Sequence, residues 1–203
     1  MPVLALDFKM KKQLCNFQYY GLGPDENYSD RCKGARLGLW KSTAKENLSG
    51  YLNPQECGNR TGVRTLSIHD DMQHGLTFQK ASAPFEMSVL PYSAYELENA
   101  MHLDELPSVR YTWVRIAAKQ MGVGGDDSWG APVHEEYRIH ADQPMKLEFC
   151  NYAFLKGKEL LYAYESTANF PLSISQTVSL VSSKSKQHFL KIVTIQKIRM
   201  INQ

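Results

Sequence analysis

Long hydrophobic runs are missing from this chain of 203 residues. No segment approaches the roughly 18 consecutive apolar residues that span a bilayer, so we expect no membrane partner. The first twelve residues hold Asp7 and three lysines instead of an apolar stretch, and they do not resemble a secretory signal peptide. These absences predict a cytoplasmic protein.

Cysteine is also sparse. The four cysteines, Cys15, Cys32, Cys57 and Cys150, form no C-x-x-C pair, which excludes the common zinc sites and a dense disulfide framework and favours a reducing compartment. A G-x-S-x-G elbow, a Walker loop and a dinucleotide fingerprint are missing as well. We therefore expect no metal and no cofactor in this chain.

Charge is distributed unevenly along the chain. Residues 1–154 contain 16 Lys and Arg against 19 Asp and Glu, whereas residues 155–203 contain 7 against 2. The basic segment lacks the Gly and aromatic interleaving of nucleic-acid-binding segments, so we expect no nucleic acid partner. Within it, residues 189–195 suit a strand or a helix equally well. We interpret residues 155–203 as a C-terminal extension that is solvated or binds a partner.

Alternating apolar and polar residues predict a series of short strands. Residues 4–10 alternate with a period of two, and a second strand begins at Phe17 and ends before Pro24. Further strands are predicted at residues 63–68, 76–79, 85–89, 111–119, 137–139 and 145–149. The histidines and aspartates of residues 69–74 are metal-type ligands, but a polar hairpin turn is favoured there. Short strands between turn signals predict a mostly antiparallel β-sandwich.

One helix is well signalled. Ser93 followed by Glu96 forms a capping box, which marks a helix N-terminus. Leu97 and Met101 are four residues apart and share one helix face. The pattern predicts a helix from about residue 94 to residue 102.

Residues 121–132 stand out because they combine four glycines and a proline with two carboxylates, a hydroxyl and an indole. This composition excludes the interior of a helix or strand and predicts a shaped loop, here called the aromatic loop. An aromatic ring beside polar groups suits a sugar, whose C–H groups lie on the ring while its hydroxyls bind the polar groups. Packing of Trp129 back onto the core is the alternative, since buried Trp is common.

Catalysis by the aromatic loop is disfavoured. Glycoside hydrolysis usually needs two facing carboxyl groups about 5–9.5 Å apart, whereas Asp126 and Asp127 are neighbours whose side chains point apart. We expect one of them to bind a hydroxyl and the other to hold the loop through local N–H groups. A small hydrolase or mutarotase that uses Asp126, Asp127, Glu135 or a histidine is a second hypothesis.

Three stretches together resemble the C-terminal, small-chain domain of the β-galactosidases of glycoside hydrolase family 2. They are residues 21–31 with the pattern G-P-x-E-N-Y-x-D-R, residues 54–60, and residues 121–129 with the pattern M-G-x-G-G-D-D-S-W. Residues 90–93 and 102–107 extend the resemblance, which covers residues 1–154. The resemblance implies an antiparallel supersandwich related to galactose mutarotase, beside a (β/α)8 barrel that carries both catalytic glutamates and often uses Mg²⁺ and Na⁺.

The resemblance also implies roles for individual residues. Trp129 is expected to stack on the sugar at the mouth of the barrel, with Asp126, Asp127 and Ser128 contributing to substrate binding and holding the loop. The residues expected to shape the supporting loops are Gly122, Gly124, Gly125, Glu26, Asn27, Asp30, Arg31, Glu56 and Arg60. No catalytic residue is expected in this chain.

Two departures from the family pattern carry expectations of their own. Cys57 stands where the family usually has Asn, which predicts a lost hydrogen bond. The family domain has a substantial stretch before the first strand, so residues 1–154 are expected to be a small-chain-like domain truncated at its start, followed by an extension of unknown role.

These features predict an accessory domain or small subunit of a β-galactosidase, non-catalytic alone, that completes the site of a partner chain hydrolysing β-galactosides such as lactose. A free-standing carbohydrate-binding module and a non-functional truncated fragment are the alternatives.

Overall fold

Twelve strands and one short helix make up the part of the chain that the computed structural model describes, which is residues 2–127, 129–140 and 145–154 and the backbone of 165–169, 173–177 and 194–199. The strands are β1 Val3–Lys11, β2 Asn16–Gly23, β3 Arg36–Thr43, β4 Arg60–Val63, β5 Thr65–His69, β6 Gly75–Lys80, β7 Phe85–Leu90, β8 Tyr111–Gln120, β9 Lys146–Phe154, β10 Glu165–Asn169, β11 Ser173–Thr177 and β12 Thr194–Arg199. The helix α1 is Ala94–Glu98, and single 3₁₀ turns lie at Leu103–Glu105 and Glu135–Tyr137.

The strands form two sheets. The smaller sheet has the order β1-β8-β7-β4, and the larger sheet has the order β11-β10-β12-β9-β6-β5-β2-β3. Neighbouring strands are antiparallel except for the parallel pair β10 and β12. This confirms the predicted mainly-β, antiparallel architecture with one short helix. None of the helices in the described residues is long and apolar enough to cross a membrane.

One hydrophobic core lies between the sheets. Phe17, Phe78 and Phe149 from the larger sheet share a buried cluster with Met87 and Ile116 from the smaller sheet. The rings of Phe78 and Phe149 meet edge to face with their centroids 5.8 Å apart. Each of these five side chains is at most 1% exposed, so burial of apolar surface is the main stabilising contribution. The predicted sandwich follows from this shared core.

The extension supplies strands to the larger sheet. β12 pairs antiparallel with β9, with Thr194 opposite Asn151 and Arg199 opposite Lys146. The sequence left residues 189–195 open between strand and helix; Thr194 and Ile195 lie in β12, and residues 189–193 lie outside the described part of the chain.

The predicted helix is shorter than expected. Its capping box is confirmed, because Glu96 N donates to Ser93 Oγ at 3.1 Å and the Glu96 carboxylate accepts from Ser93 N at 2.8 Å. The helix ends at Asn99, whose side-chain amide donates to the carbonyl of Tyr95 at 2.7 Å and competes with continuation of the helix. Met101 is consequently 64% exposed and does not share a buried face with Leu97.

Several strand predictions differ from the structure. The strand expected at residues 63–68 is divided between β4 and β5, because Arg64 N donates instead to the carbonyl of Tyr20 at 2.8 Å. The prediction of a strand at residues 137–139 is wrong. That segment begins in a 3₁₀ turn, and the carbonyl of Tyr137 accepts from Gly122 N at 3.0 Å rather than from a neighbouring strand. The polar turn at residues 69–74 is confirmed, with Asp70 Oδ1 accepting from two backbone amides of the turn.

Candidate functional site

The aromatic loop begins where β8 ends and leaves its tryptophan in solvent. Trp129 is 90% exposed, so the alternative in which it packs onto the core is not what the structure has. A large apolar side chain held in solvent by an ordered loop is typical of a binding element. The loop therefore presents a flat ring to whatever lies against this end of the sandwich.

The carboxylate of Asp127 holds the backbone beside that ring. Its Oδ1 accepts from Trp129 N at 2.7 Å and from Ala131 N at 3.3 Å, which is a local turn stabilised by an aspartate side chain. The neighbouring Asp126 points elsewhere and lies 2.7 Å from His134 Nε2. Ser128, predicted to contribute a hydroxyl, lies outside the described residues.

Close approach explains two of the glycines. A Cβ on Gly122 would lie 2.5 Å from Asp30 Oδ2, and a Cβ on Gly125 would overlap the carbonyl oxygen of Ala131. A larger residue at either position would displace the loop, because such contacts are well inside van der Waals distance. The glycines of the aromatic loop thus allow it to pack against itself and against a second loop.

That second loop is residues 24–31, here called the supporting loop. Its Asp30 accepts from Gly124 N through Oδ2 at 2.7 Å, which joins two segments separated by 94 residues. The two loops border an open cleft of about 450 Å³, lined by Asp30 and Arg31 on one side and by Val123 to Asp126 with His134 and Tyr137 on the other. This cleft offers carboxylate, guanidinium and imidazole groups to a polar ligand.

Glu26 anchors the supporting loop. Its Oε1 accepts from Arg31 Nη2 at 2.6 Å and from the hydroxyl of Tyr51, and its Oε2 accepts from Gly58 N at 2.7 Å and Ser49 Oγ at 3.0 Å. Burial acts to raise the pKa of the carboxyl, but the four donors outweigh it and lower the pKa from 4.5 to about 2. Glu26 is therefore ionised at neutral pH and fixes the loop by charge-assisted hydrogen bonds.

The side chain of Asn27 forms hydrogen bonds with the backbone of the same loop and of neighbouring residues. Its side-chain amide donates to the carbonyls of Leu22 and Asp25, each at 3.0 Å, and its Oδ1 accepts from both N and Oγ1 of Thr61. The backbone N–H of Asn27 donates to Asn59 O at 2.9 Å. Asn27 is 2% exposed, and these bonds offset the cost of burying its amide.

Arg60 and Glu56, both predicted to shape the loops, lie in different surroundings. Arg60 is buried, and its Nε donates to the hydroxyl of Tyr19 and to the carbonyl of Pro24, each at 3.0 Å. Glu56 instead forms an ion pair with Arg115 of β8 and makes no described contact with the aromatic loop. The structure thus brings Glu26, Asn27, Asp30, Arg31 and Arg60 around one loop but does not bring Glu56 there.

Three contacts of this region are not indicated by the local sequence. Tyr51 and Ser49 donate to Glu26 from a segment that carries no motif, and His134 Nε2 lies 2.7 Å from Asp126 Oδ1. Cys57 keeps one contact at the position where a lost hydrogen bond was expected, because its Sγ accepts from Ser49 N at 3.4 Å. Ser49 and Tyr51 are 23 and 25 residues from Glu26, so no local sequence pattern could identify them as its partners.

Chemically, this arrangement can bind and orient a ligand. Among the described residues no group of three or more His, Cys, Asp and Glu side chains could hold a metal ion. The carboxylates of Asp127 and Asp30 are engaged with backbone amides, and that of Asp126 lies against the imidazole of His134. The exposed indole and the polar cleft beside it suit a hydroxyl-rich ligand with an apolar face.

Comparison with known proteins finds a matching family and several relatives of this chain. Residues 1–150 match the protein family described as "Beta galactosidase small chain". A beta-galactosidase of Halalkalibacterium halodurans is 51% identical over 149 residues, which make up 73% of this chain and 15% of that protein. Beta-galactosidase BgaC of Bifidobacterium adolescentis is 46% identical over 149 residues, which make up 72% of this chain and 14% of that protein.

A shorter relative is similar over a comparable share of this chain. The beta-galactosidase small subunit of Latilactobacillus sakei is 38% identical over 159 residues, covering 73% of this chain and 49% of that protein. This chain therefore spans about half of the small subunit and about 15% of the longer β-galactosidase from H. halodurans.

Proposed function

Because this chain belongs to the β-galactosidase small-chain family, we propose that it is a non-catalytic accessory domain or subunit of a β-galactosidase. In this proposal it completes the sugar-binding site of a partner catalytic chain, a (β/α)8 barrel that hydrolyses terminal β-galactosides such as lactose. The observation that carries the proposal is the 90% exposure of Trp129 on a loop held by Asp127 and Asp30.

The position of Trp129 suits an aromatic platform for substrate. An indole has a large apolar face, and burying it against C–H groups of a sugar is favourable. The loop is already tied to the sandwich before any ligand arrives, so little ordering entropy is lost on binding. Such a platform orients the substrate and excludes water, but it donates no proton and supplies no nucleophile.

The catalytic carboxyl groups are assigned to the partner chain. Asp127 is occupied by two backbone amides, and Asp126 by His134. Mg²⁺ and Na⁺ are likewise assigned to the catalytic chain, since the described residues here do not form a metal-binding cluster. The cysteines form no disulfide, which supports placement in a reducing, cytoplasmic compartment.

The test is hydrolysis of a chromogenic galactoside by the purified full chain, alone and mixed with a family catalytic chain that lacks this domain. We expect activity only in the mixture. Turnover by the chain alone would refute the non-catalytic assignment and direct attention to Asp126 and Asp127. If neither sample hydrolyses the galactoside but the folded chain binds it in calorimetry, the chain is instead a free-standing carbohydrate-binding module.

Within an active mixture, Trp129→Ala should lower kcat/KM by roughly tenfold, because an aromatic contact contributes about 0.5–1.5 kcal/mol beyond its buried area. Trp129→Phe keeps a ring and should retain most of the activity. Sedimentation of each mixture distinguishes lost assembly from lost substrate binding. Tyr95→Ala is the matched control, since Tyr95 is also an exposed aromatic residue, at 74%, but lies on α1. Unchanged kinetics in Trp129→Ala would remove Trp129 from the site.

A further inference from the structure

Glu86 is a buried carboxylate whose partners lie on segments that adjoin the two loops of the site. It belongs to β7, where it is opposite Ala117 of β8, and it is only 9% exposed. An ionisable side chain is rarely buried in a sheet without partners that fix it. Its partners belong to the segments that support the aromatic loop.

The first link runs through Asn59 to the supporting loop. Glu86 Oε2 accepts from Asn59 Nδ2 at 2.9 Å, and the same amide nitrogen donates to Asn27 O at 3.1 Å. Asn59 O in turn accepts from Asn27 N. Three residues further along the supporting loop, Asp30 receives the amide of Gly124. Glu86 thus fixes the side chain of Asn59, which in turn bonds to the supporting loop. The aromatic loop is bonded to that supporting loop through Gly124 and Asp30.

The second link runs to the start of the aromatic loop. β8 contains a bulge beside β1, because Leu4 is opposite Lys119 and Ala5 is opposite Ala117, which leaves one extra residue in β8. A bulge redirects the strand that contains it. The backbone of Gln120, just past this bulge, hydrogen-bonds to Glu86. The next residue begins the aromatic loop, so Glu86 also holds the point where that loop leaves the sheet.

The charge on Glu86 changes near neutral pH. Burial raises the pKa of its carboxyl from 4.5 to about 7, although Asn59, the Gln120 backbone and the positive charge of Lys119 act in the opposite direction. The other nearby cation, Arg60 of β4, directs its guanidinium to Tyr19 and to backbone carbonyls. An ionised carboxylate accepts hydrogen bonds more strongly than a protonated one, so both links strengthen as pH rises through 7.

We propose that Glu86 is a positioning residue for the aromatic loop, which it holds through the side chain of Asn59 and the backbone of Gln120. Only its consequence for substrate handling rests on the proposed function. Its effect on the loop is a property of the chain alone. Protonation of Glu86 loosens the loop, and ionisation fixes it.

The test is hydrogen exchange of the Gly122 and Gly124 amides in the full chain, measured by NMR at about pH 6 and about pH 8 and corrected for intrinsic rates. We expect protection in the wild-type chain to rise by roughly fivefold between these pH values, which corresponds to one hydrogen bond. In Glu86→Gln, these two amides should show low protection at both pH values. Glu148→Gln is the matched control, because Glu148 is also buried, at 7%, but lies in β9 and contacts Ser82 and Lys146.

Equal, pH-dependent protection in Glu86→Gln and wild type would overturn the proposal. If Glu86→Gln does not fold, the wild-type series decides alone, because protection that does not change around pH 7 also overturns it. In the mixture with a catalytic chain, Glu86→Gln should raise KM severalfold with a smaller effect on kcat, whereas Glu148→Gln should not. Loss of protection without any kinetic effect would support positioning by Glu86 and contradict the role of the loop in substrate binding.

Discussion

Replacing Glu26 by Gln tests the network under the supporting loop. In the wild-type chain, the carboxylate of Glu26 accepts from four donors, which belong to Arg31, Tyr51, Ser49 and Gly58. The substitution removes the negative charge and directs an NH₂ group toward some of these donors. The lowering of the pKa from 4.5 to about 2 corresponds to about 3.4 kcal/mol of stability at neutral pH. Solvent screening of this partly exposed carboxylate reduces the expected loss to about 2 kcal/mol.

The pH dependence of that loss follows from the direction of the pKa shift. Because the folded chain binds this proton less tightly than the unfolded chain does, the contribution of Glu26 is complete above pH 4.5 and is lost as pH falls toward 2. The difference in unfolding free energy between wild type and Glu26→Gln should therefore shrink over that range. Chemical denaturation followed by circular dichroism at several pH values measures it, provided the m-value is unchanged.

Glu98→Gln provides the control, because Glu98 lies exposed on α1 and its replacement should change stability by less than about 0.5 kcal/mol. A Glu26→Gln chain as stable as the control at neutral pH would refute the reasoning. So would a difference that stays constant from neutral pH down to pH 2.

Three further outcomes are expected. Trp129→Ala should leave the unfolding free energy within about 0.5 kcal/mol of wild type in denaturant titrations, because the ring is 90% exposed. Asn27→Ala should cost about 2–3 kcal/mol in the same titrations, since it leaves four backbone and hydroxyl groups of Leu22, Asp25 and Thr61 without this partner. Gly125→Ala should change NMR shifts within the aromatic loop but not in the core, because its Cβ would overlap the Ala131 carbonyl and the loop must move.

The strands that alternation predicts are those with one face on the core. β1 is an example, with Leu4 and Met10 buried and Asp7 exposed. β3 was not predicted, because its apolar residues Leu37 and Leu39 lie on the outer face of the larger sheet, 47% and 62% exposed. Because Trp40 of the same strand packs against the core, apolar residues lie on both faces of β3, and no alternation of apolar and polar residues identifies it as a strand.

The surroundings of the site residues could be predicted only in part from the sequence. The glycines and the proline of residues 121–132 predict a loop, and the adjacent aspartates predict that one of them holds it through local N–H groups. The contact between Asp30 and Gly124 joins residues 94 positions apart, and that between Glu86 and Asn59 joins residues 27 apart. Alternation of Glu86 and Ser88 with apolar neighbours is typical of a strand with a wet face, yet both are buried. Long-range partners decide these environments, and local patterns contain no information about them.

The exposure of Trp129 and the rigidity of its support are best explained together. A loop that merely connected two strands would gain by burying its indole, since a fully buried aromatic side chain contributes roughly 1.5–3 kcal/mol. Here Asp127, Asp30 and the glycines hold the backbone so that the ring stays in solvent. The free chain thus forgoes apolar burial that only an incoming partner or ligand can recover. Because the loop is ordered beforehand, that recovered free energy goes into binding rather than into fixing the loop.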